Sequence, residues 1–189
     1  AWISSNGIKN DHNYTREELL QILKEHVTTV VTHFKGHVDE WDVVNECLDD
    51  DQSIIRTNPT GDKLRESVWA TVIGEDYIDS AFVYAHRADP DARLVLNDYG
   101  AEFQGKAKTT AFYNLVRRLQ KSGIPLDGVG FQCHLTVGEE FDSTKFDNNI
   151  KRYASLVLEC TVTELDMSIP DLSAPDAYEC QAAEYAALV

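Results

Sequence analysis

The chain has 189 residues, of which 43% are hydrophobic, and carries 32 acidic against 17 basic side chains for a formal net charge of −15. That length and apolar content suit one folded domain and exclude a disordered chain. The charge excludes a nucleic acid or an anionic membrane surface as partner, since both would be repelled; a neutral or cationic ligand fits, as does a merely solvated acidic surface. No run of about 18 apolar residues is present to span a bilayer. The opening AWISSNG has neither a charged stretch nor an apolar core of a signal peptide, and the close on QAAEYAALV has no stop signal, so the sequence reads as cut at both ends.

The first helix is expected over TREELLQILKEHVTTVVTHF. Thr15 with Glu18 three residues later forms a capping box, and Leu19, Ile22, Leu23, Val27, Val30, Val31 and Phe34 make one buried stripe before Gly36 stops it. EWDVVNE follows as a short apolar strand ending in Asn45 and Glu46. A second helix is expected from about Lys63 to Arg87, broken at Asp89-Pro90, where proline disfavours helix in the residue before it. LVLNDYG is then a strand closing on Asn97, Asp98 and Tyr99. A third helix, about Lys106 to Lys121, leads to GVGFQCHL, and a fourth, about Ser143 to Leu158, leads to CTVTELDM; a fifth begins near Ser173 and Ala174.

Short apolar strands alternating with helices predict an α/β fold of parallel βαβ units. Polar groups recur at the carboxyl end of each strand. In a (β/α)8 barrel of the TIM-barrel type those ends open on one face, where active sites are built. A doubly wound sheet is the rival, but no glycine-rich phosphate turn follows any strand.

Glu46 and Glu164, each ending an apolar strand, stand out. Two carboxyl groups in unlike surroundings can divide the work of glycoside hydrolysis, one as proton donor and one as nucleophile. The alternative is that they only pair with nearby cations. Asn45 could bond a substrate hydroxyl or cap a loop. Gln132 and His134, two apart, can face the same way, with His134 orienting Glu164 and Asp166 locking His134. His134, Glu164 and Asp166 could instead hold Mn or Mg, yet no HxH or HExxH occurs, and His12, His26, His33 and His37 sit in helix or turn surroundings. No cofactor or metal is expected. Cys47, Cys133, Cys160 and Cys180 show no metal-ligand spacing, and a Cys160–Cys180 bridge is neither required nor excluded.

At these same strand ends the sequence resembles family 10 glycoside hydrolases, the (β/α)8-barrel xylanases. WDVVNE is similar to the family's acid/base motif, LVLNDYG to its fifth-strand motif, GVGFQCHL to its sixth and VTELDM to its nucleophile motif; LRESVWATVIGEDYIDSAFVYAHRADPDARL resembles the helix between the fourth and fifth strands. The resemblance implies Glu46 as acid/base and Glu164 as nucleophile in retaining hydrolysis of β-1,4-xylan. It implies Asn45 on the sugar 2-hydroxyl and His134 on the nucleophile, supported by Asp166. Gln132 would line the same subsite, while Tyr99 would serve the leaving-group side and Asn97 would shape it. Xylan or xylo-oligosaccharides are the implied partners, and a secreted, extracellular enzyme the implied setting. Gly100 stands where the family usually has Asn, and Cys47 and Cys133 take places of small residues.

On this reading residues 1–189 form part of a single catalytic barrel domain, about its fourth to seventh strands. The first three strands and the eighth are expected outside this chain, leaving half a barrel with open edges. Those edges would be closed by a missing N-terminal half or by self-association. The rival expectation is a noncatalytic carbohydrate-binding or assembly fragment, inactive without that half. Cellulose or aryl-glucoside hydrolysis is the alternative within the glycosidases.

Overall fold

The computed structural model describes residues 13–52, 63–139 and 142–188. The opening AWISSNG, His12 and the final Val189 lie outside the described residues. Helix α1 (Arg16–Phe34) starts at the expected capping box: the Glu18 amide donates to Thr15 Oγ1 at 3.2 Å and the Thr15 amide to Glu18 Oε2 at 2.8 Å. Strand β1 (Glu40–Asn45) follows.

The long second helix of the sequence reading is shorter and broken. Leu64 forms an antiparallel bridge with Leu48, and the Arg65 amide donates to the Cys47 carbonyl, so Lys63 to Glu66 are held in a loop and not in a helix. A π-turn spans Trp69–Ile73, Gly74 ends it, and the helix proper, α2, is Asp76–Ala88. Strand β2 (Arg93–Asp98), helix α3 (Ala107–Lys121), and strands β3 (Gly128–Phe131) and β4 (His134–Thr136) come next. Helix α4 (Ser143–Ala154) ends four residues short of Leu158, with Val157 exposed and left-handed at φ 61°. Strands β5 (Glu159–Val162) and β6 (Asp166–Ser168) precede α5 (Ala177–Leu188), which begins only after Pro175.

Strands β1, β2, β3 and β5 form one all-parallel sheet in that order, as right for successive βα units of a barrel. Its helix-facing side is a dry core: Phe131 packs on Phe112, Phe146 and Tyr153 with ring centroids 5.7–6.3 Å apart. Neither β1 nor β5 has a second neighbour among the described residues, so the barrel is open. All four cysteines are free thiols, so the Cys160–Cys180 bridge is not formed. No helix among the described residues is long and apolar enough to cross a membrane.

Two irregularities in strand register prepare the strand ends. Between Asp42 and Val44 the β1–β2 ladder skips Val43, a bulge that brings Asn45 opposite Asn97. Beyond the main sheet, β4 and β6 resume a parallel ladder with His134 opposite Asp166. The β3 side reaches it through Gln132 and Cys133, the β5 side through Thr163, Glu164 and Leu165, so Glu164 sits in the longer, unpaired side. Bulges at a barrel rim bend the strand and re-aim side chains.

Candidate active site

Alternation along a strand would send Asn45 and Glu46 to opposite faces. The chain avoids this by leaving the strand at Glu46, whose φ is 53°. A non-glycine residue in that region is uncommon and needs support from its surroundings. Here the Glu46 amide is fixed by a 3.0 Å hydrogen bond to the Asn97 carbonyl. Equivalent bonds run from the Gln132 amide to the Asp98 carbonyl at 3.1 Å and from the Thr163 amide to the Phe131 carbonyl at 3.0 Å. The sheet ladder thus continues one step past β1, β3 and β5 and holds the site residues on rigid backbone.

The two carboxylates are joined by a chain of amides. Gln132 Nε2 donates to Glu46 Oε1 at 3.2 Å and to Asn45 Oδ1 at 2.9 Å. Asn97 Nδ2 donates to that same Asn45 oxygen and to Glu164 Oε1, both at 3.0 Å, while Thr163 Oγ1 donates to Asn97 Oδ1 at 2.8 Å. Gln132 and Asn97 are both fully buried, whereas the Glu46 and Glu164 side chains are 33% and 40% exposed. The carboxylates are therefore reachable and the two amides beneath them are not. Gln132, expected to touch sugar, is buried in the floor just past β3, one of the two inner strands of the sheet; Asn97, on the other inner strand β2, lies in the same layer.

His134 stands between two acids. Its Nδ1 lies 2.7 Å from Asp166 Oδ2 and its Nε2 3.3 Å from Glu164 Oε2. The hydrogen bond to Asp166, followed by the nearby negative charge of Asp166 and Glu164, holds the imidazole above its ordinary value. Both ring nitrogens are thus engaged by carboxylates, and His134, Glu164 and Asp166 form a relay and not a set of donors around one point.

On the other side, Arg65 Nη1 lies 2.6 Å from Glu46 Oε2, and Arg65 Nη2 donates to Tyr99 Oη at 2.7 Å. Tyr99 in turn donates to Asp50 Oδ2 at 2.7 Å, and its ring lies 3.6 Å below Lys108 Nζ. Lys108, nearly buried, ties Asp50 (2.9 Å) to the fully buried Asp98 (3.0 Å). The Lys108 hydrogen bond pulls Asp50 below the usual carboxylate range. Asn45, Glu46, Arg65 and Trp69 line one cleft of about 570 Å³. The spacing of residues pointed to neither Arg65, Asp50, Lys108 nor Thr163. Arg65 belongs to LRESVW, read only as helix, and it reaches Glu46 through the Leu48–Leu64 bridge, which has no local signature.

Gly100 has a φ of 66°, a backbone region that asparagine also tolerates. Its departure from the expected Asn is therefore conformationally mild.

The site so described can be compared with known proteins. Endo-1,4-beta-xylanase B of Thermotoga neapolitana is 42% identical over 165 residues, covering 87% of this chain and 44% of that protein. An exoglucanase, XynX, of Acetivibrio thermocellus is 45% identical over 161 residues, covering 82% of this chain and 14% of that protein. Among solved structures, xylanase 10B from Thermotoga petrophila in complex with xylobiose superposes with a TM-score of 0.84 at 40% identity, over 94% of this chain and 51% of that one. The chain spans about half the length of that solved relative, and the parallel strands, open on both sides, are part of its TIM barrel. The model of glycosyl hydrolase family 10 matches residues 1–189, and the chain belongs to that family.

Proposed function

We propose that this chain supplies the catalytic centre of an endo-1,4-beta-xylanase that cleaves β-1,4-xylosidic bonds with retention. The observation that carries this reading is the amide chain from Glu46 through Gln132, Asn45 and Asn97 to Glu164, which sets two accessible carboxylates on one rigid floor. Glu164, held by Asn97 and His134, is oriented for attack on the anomeric carbon. Glu46 protonates the leaving oxygen, then takes a proton from the water that releases the glycosyl-enzyme. Asn45, whose side-chain oxygen accepts from two buried amides, has its own NH2 left to meet the sugar 2-hydroxyl. Tyr99, beside Arg65, serves the leaving-group side.

The relatives support the substrate class, since several are named xylanases and one structure holds xylobiose. The second reading, cleavage of β-glucans, is favoured by the exoglucanase relative. Polymeric xylan does not cross a membrane, which supports activity outside the cell, whereas an intracellular xylanase of Thermoanaerobacterium saccharolyticum is 41% identical; xylanase in the culture medium against xylanase in the cell extract decides between them. The free edges of β1 and β5 we assign to the remaining strands of a closed barrel.

The test is sugar release from xylan and from carboxymethyl-cellulose by the full-length protein, beside Glu164→Ala and Glu46→Ala. Retention requires carboxyl groups about 5–5.5 Å apart. With an activated aryl xyloside and azide, Glu164→Ala is expected to give the α-azide and Glu46→Ala the β-azide. The reverse pattern would exchange the two roles, and wild-type release from cellulose alone would replace xylan as substrate.

A further inference from the structure

Glu102 is a buried acid that the reaction above does not use. It is 3% exposed, lies beyond β2, and takes no ion-pair partner among the described residues. Its Oε1 accepts two backbone amides, Gly100 at 3.2 Å and Cys133 at 3.1 Å. Its own backbone is anchored in turn. Asn149, fully buried on α4, donates at 2.8 Å to the carbonyls of both Ala101 and Glu102.

What the Cys133 amide controls is the shape of the site. Cys133 has a φ of 59°, and it separates β3 from β4. The residue before it, Gln132, touches Glu46; the residue after it, His134, touches Glu164 and Asp166. One left-handed residue therefore sets the relative aim of the groups holding both carboxylates. Its carbonyl accepts the Asp166 amide at 3.4 Å, which ties the β6 side to the same turn. The Cys133 thiol is no candidate for this role: burial, then the charge of Glu102, push it up to about 12, far from a reactive thiolate.

We infer that Glu102 is a positioning residue of this active site, holding the left-handed turn at Cys133 so that Gln132 and His134 meet Glu46 and Glu164 together. A buried amide left without an acceptor is expensive enough to make the turn relax once the carboxylate is gone. The inference rests on the assignment of Glu46 and Glu164 as the catalytic pair.

The experiment follows the His134 ring by NMR titration and xylan hydrolysis by kinetics in the full-length protein, in wild type, Glu102→Ala and Glu102→Gln. In Glu102→Ala the His134 midpoint is expected to fall toward its ordinary 6.5. The kcat on xylan is expected to drop roughly 10²-fold, the scale of an ångström misplacement, with KM changed less than about twofold. Glu102→Gln keeps an acceptor for the Cys133 amide and recovers most of both. A folded Glu102→Ala with an unmoved His134 midpoint overturns the proposal, whatever its activity. If the wild type is inert on xylan while the midpoint still follows Glu102, the catalytic reading fails and the positioning role stands. Where Glu102→Ala does not fold, Glu102→Asp keeps the charge, withdraws it by one methylene, and is expected to move the midpoint the same way.

Discussion

Arg65 holds Glu46 with one guanidinium nitrogen, 2.6 Å from Oε2, and Tyr99 with another, 2.7 Å from the phenol oxygen. The two side chains of the ion pair are 37% and 33% exposed, so their attraction is screened and worth at most about 1 kcal/mol. Its value lies in aim. Arg65→Met is expected to leave the melting temperature within a few degrees, by the size of that pair. Xylan hydrolysis falls about tenfold or more, because an oxygen leaving group needs a positioned acid. The dinitrophenolate burst from an activated aryl xyloside, which needs no acid, stays near wild type. Equal losses on both substrates would mark Arg65 as structural only.

Gly130 lies against the amide layer. A Cβ there would press on Asn97 Oδ1 inside van der Waals contact and stand 3.0 Å from Asn97 Cγ and from Thr163 Cγ2. Neither neighbour is free to yield, since Asn97 is bonded to Asn45, Glu164 and Thr163 at once. Gly130→Ala is therefore expected to destabilise by about 1–3 kcal/mol, as overpacking does. It also displaces Asn97 from Glu164, so activity falls even at temperatures where the variant is fully folded. Denaturant melts with xylan kinetics on the same sample check both; an unchanged kcat would mean that Asn97 does not hold Glu164 in the working site.

Much of this arrangement is legible in the chain itself, for a local reason. A helix such as α1 announces its start through Thr15 and Glu18, and each strand is a short apolar run closed by polar residues, so Glu46, Asn97, His134 and Glu164 can be placed at strand ends from order alone. What cannot be read there depends on contacts between distant segments. The bulge at Val43 and the left-handed backbone at Glu46 and Cys133 are set by contacts with segments distant in sequence, for Cys133 the Glu102 carboxylate beyond β2. Lys63 to Glu66 have helix-compatible residues, but Leu64 is captured by Leu48. Gln132 looks like a sugar ligand by spacing, and only its place just past an inner strand of the sheet buries it.

The relay from Asp166 to His134 has a pH signature with a definite sign. The Asp166 hydrogen bond raises the folded-state value of His134 above its ordinary 6.5. The stabilisation this gives is fully present below the unfolded value and is lost as pH rises through the folded one. The wild type is thus expected to lose melting temperature relative to Asp166→Asn as pH is raised from about 5.5 to about 8. The comparison with the variant cancels the other titrating groups. A difference that grows with pH would contradict the ion-pair assignment.

The open sides of the sheet give the last prediction. Among the described residues strand β1 pairs with β2 alone, and beside it α1 and the sheet form an apolar groove of about 540 Å³ lined by Val27, Val30, Val31, Phe34, Trp41 and Val43. At the far side Val162 of β5 is 42% exposed. Parallel sheets are ordinarily covered on both faces, and bare edges template pairing with other chains. The 189-residue chain produced alone is therefore expected to self-associate as its concentration rises and to bind an apolar dye. Supplying the preceding strands of a family 10 barrel in trans should suppress both effects, because they would occupy the groove and the β1 edge. Sedimentation velocity with dye fluorescence reads the outcome. A dye-negative monomer at all concentrations would mean that these surfaces are already satisfied within the chain, and that no further strands are needed to close them.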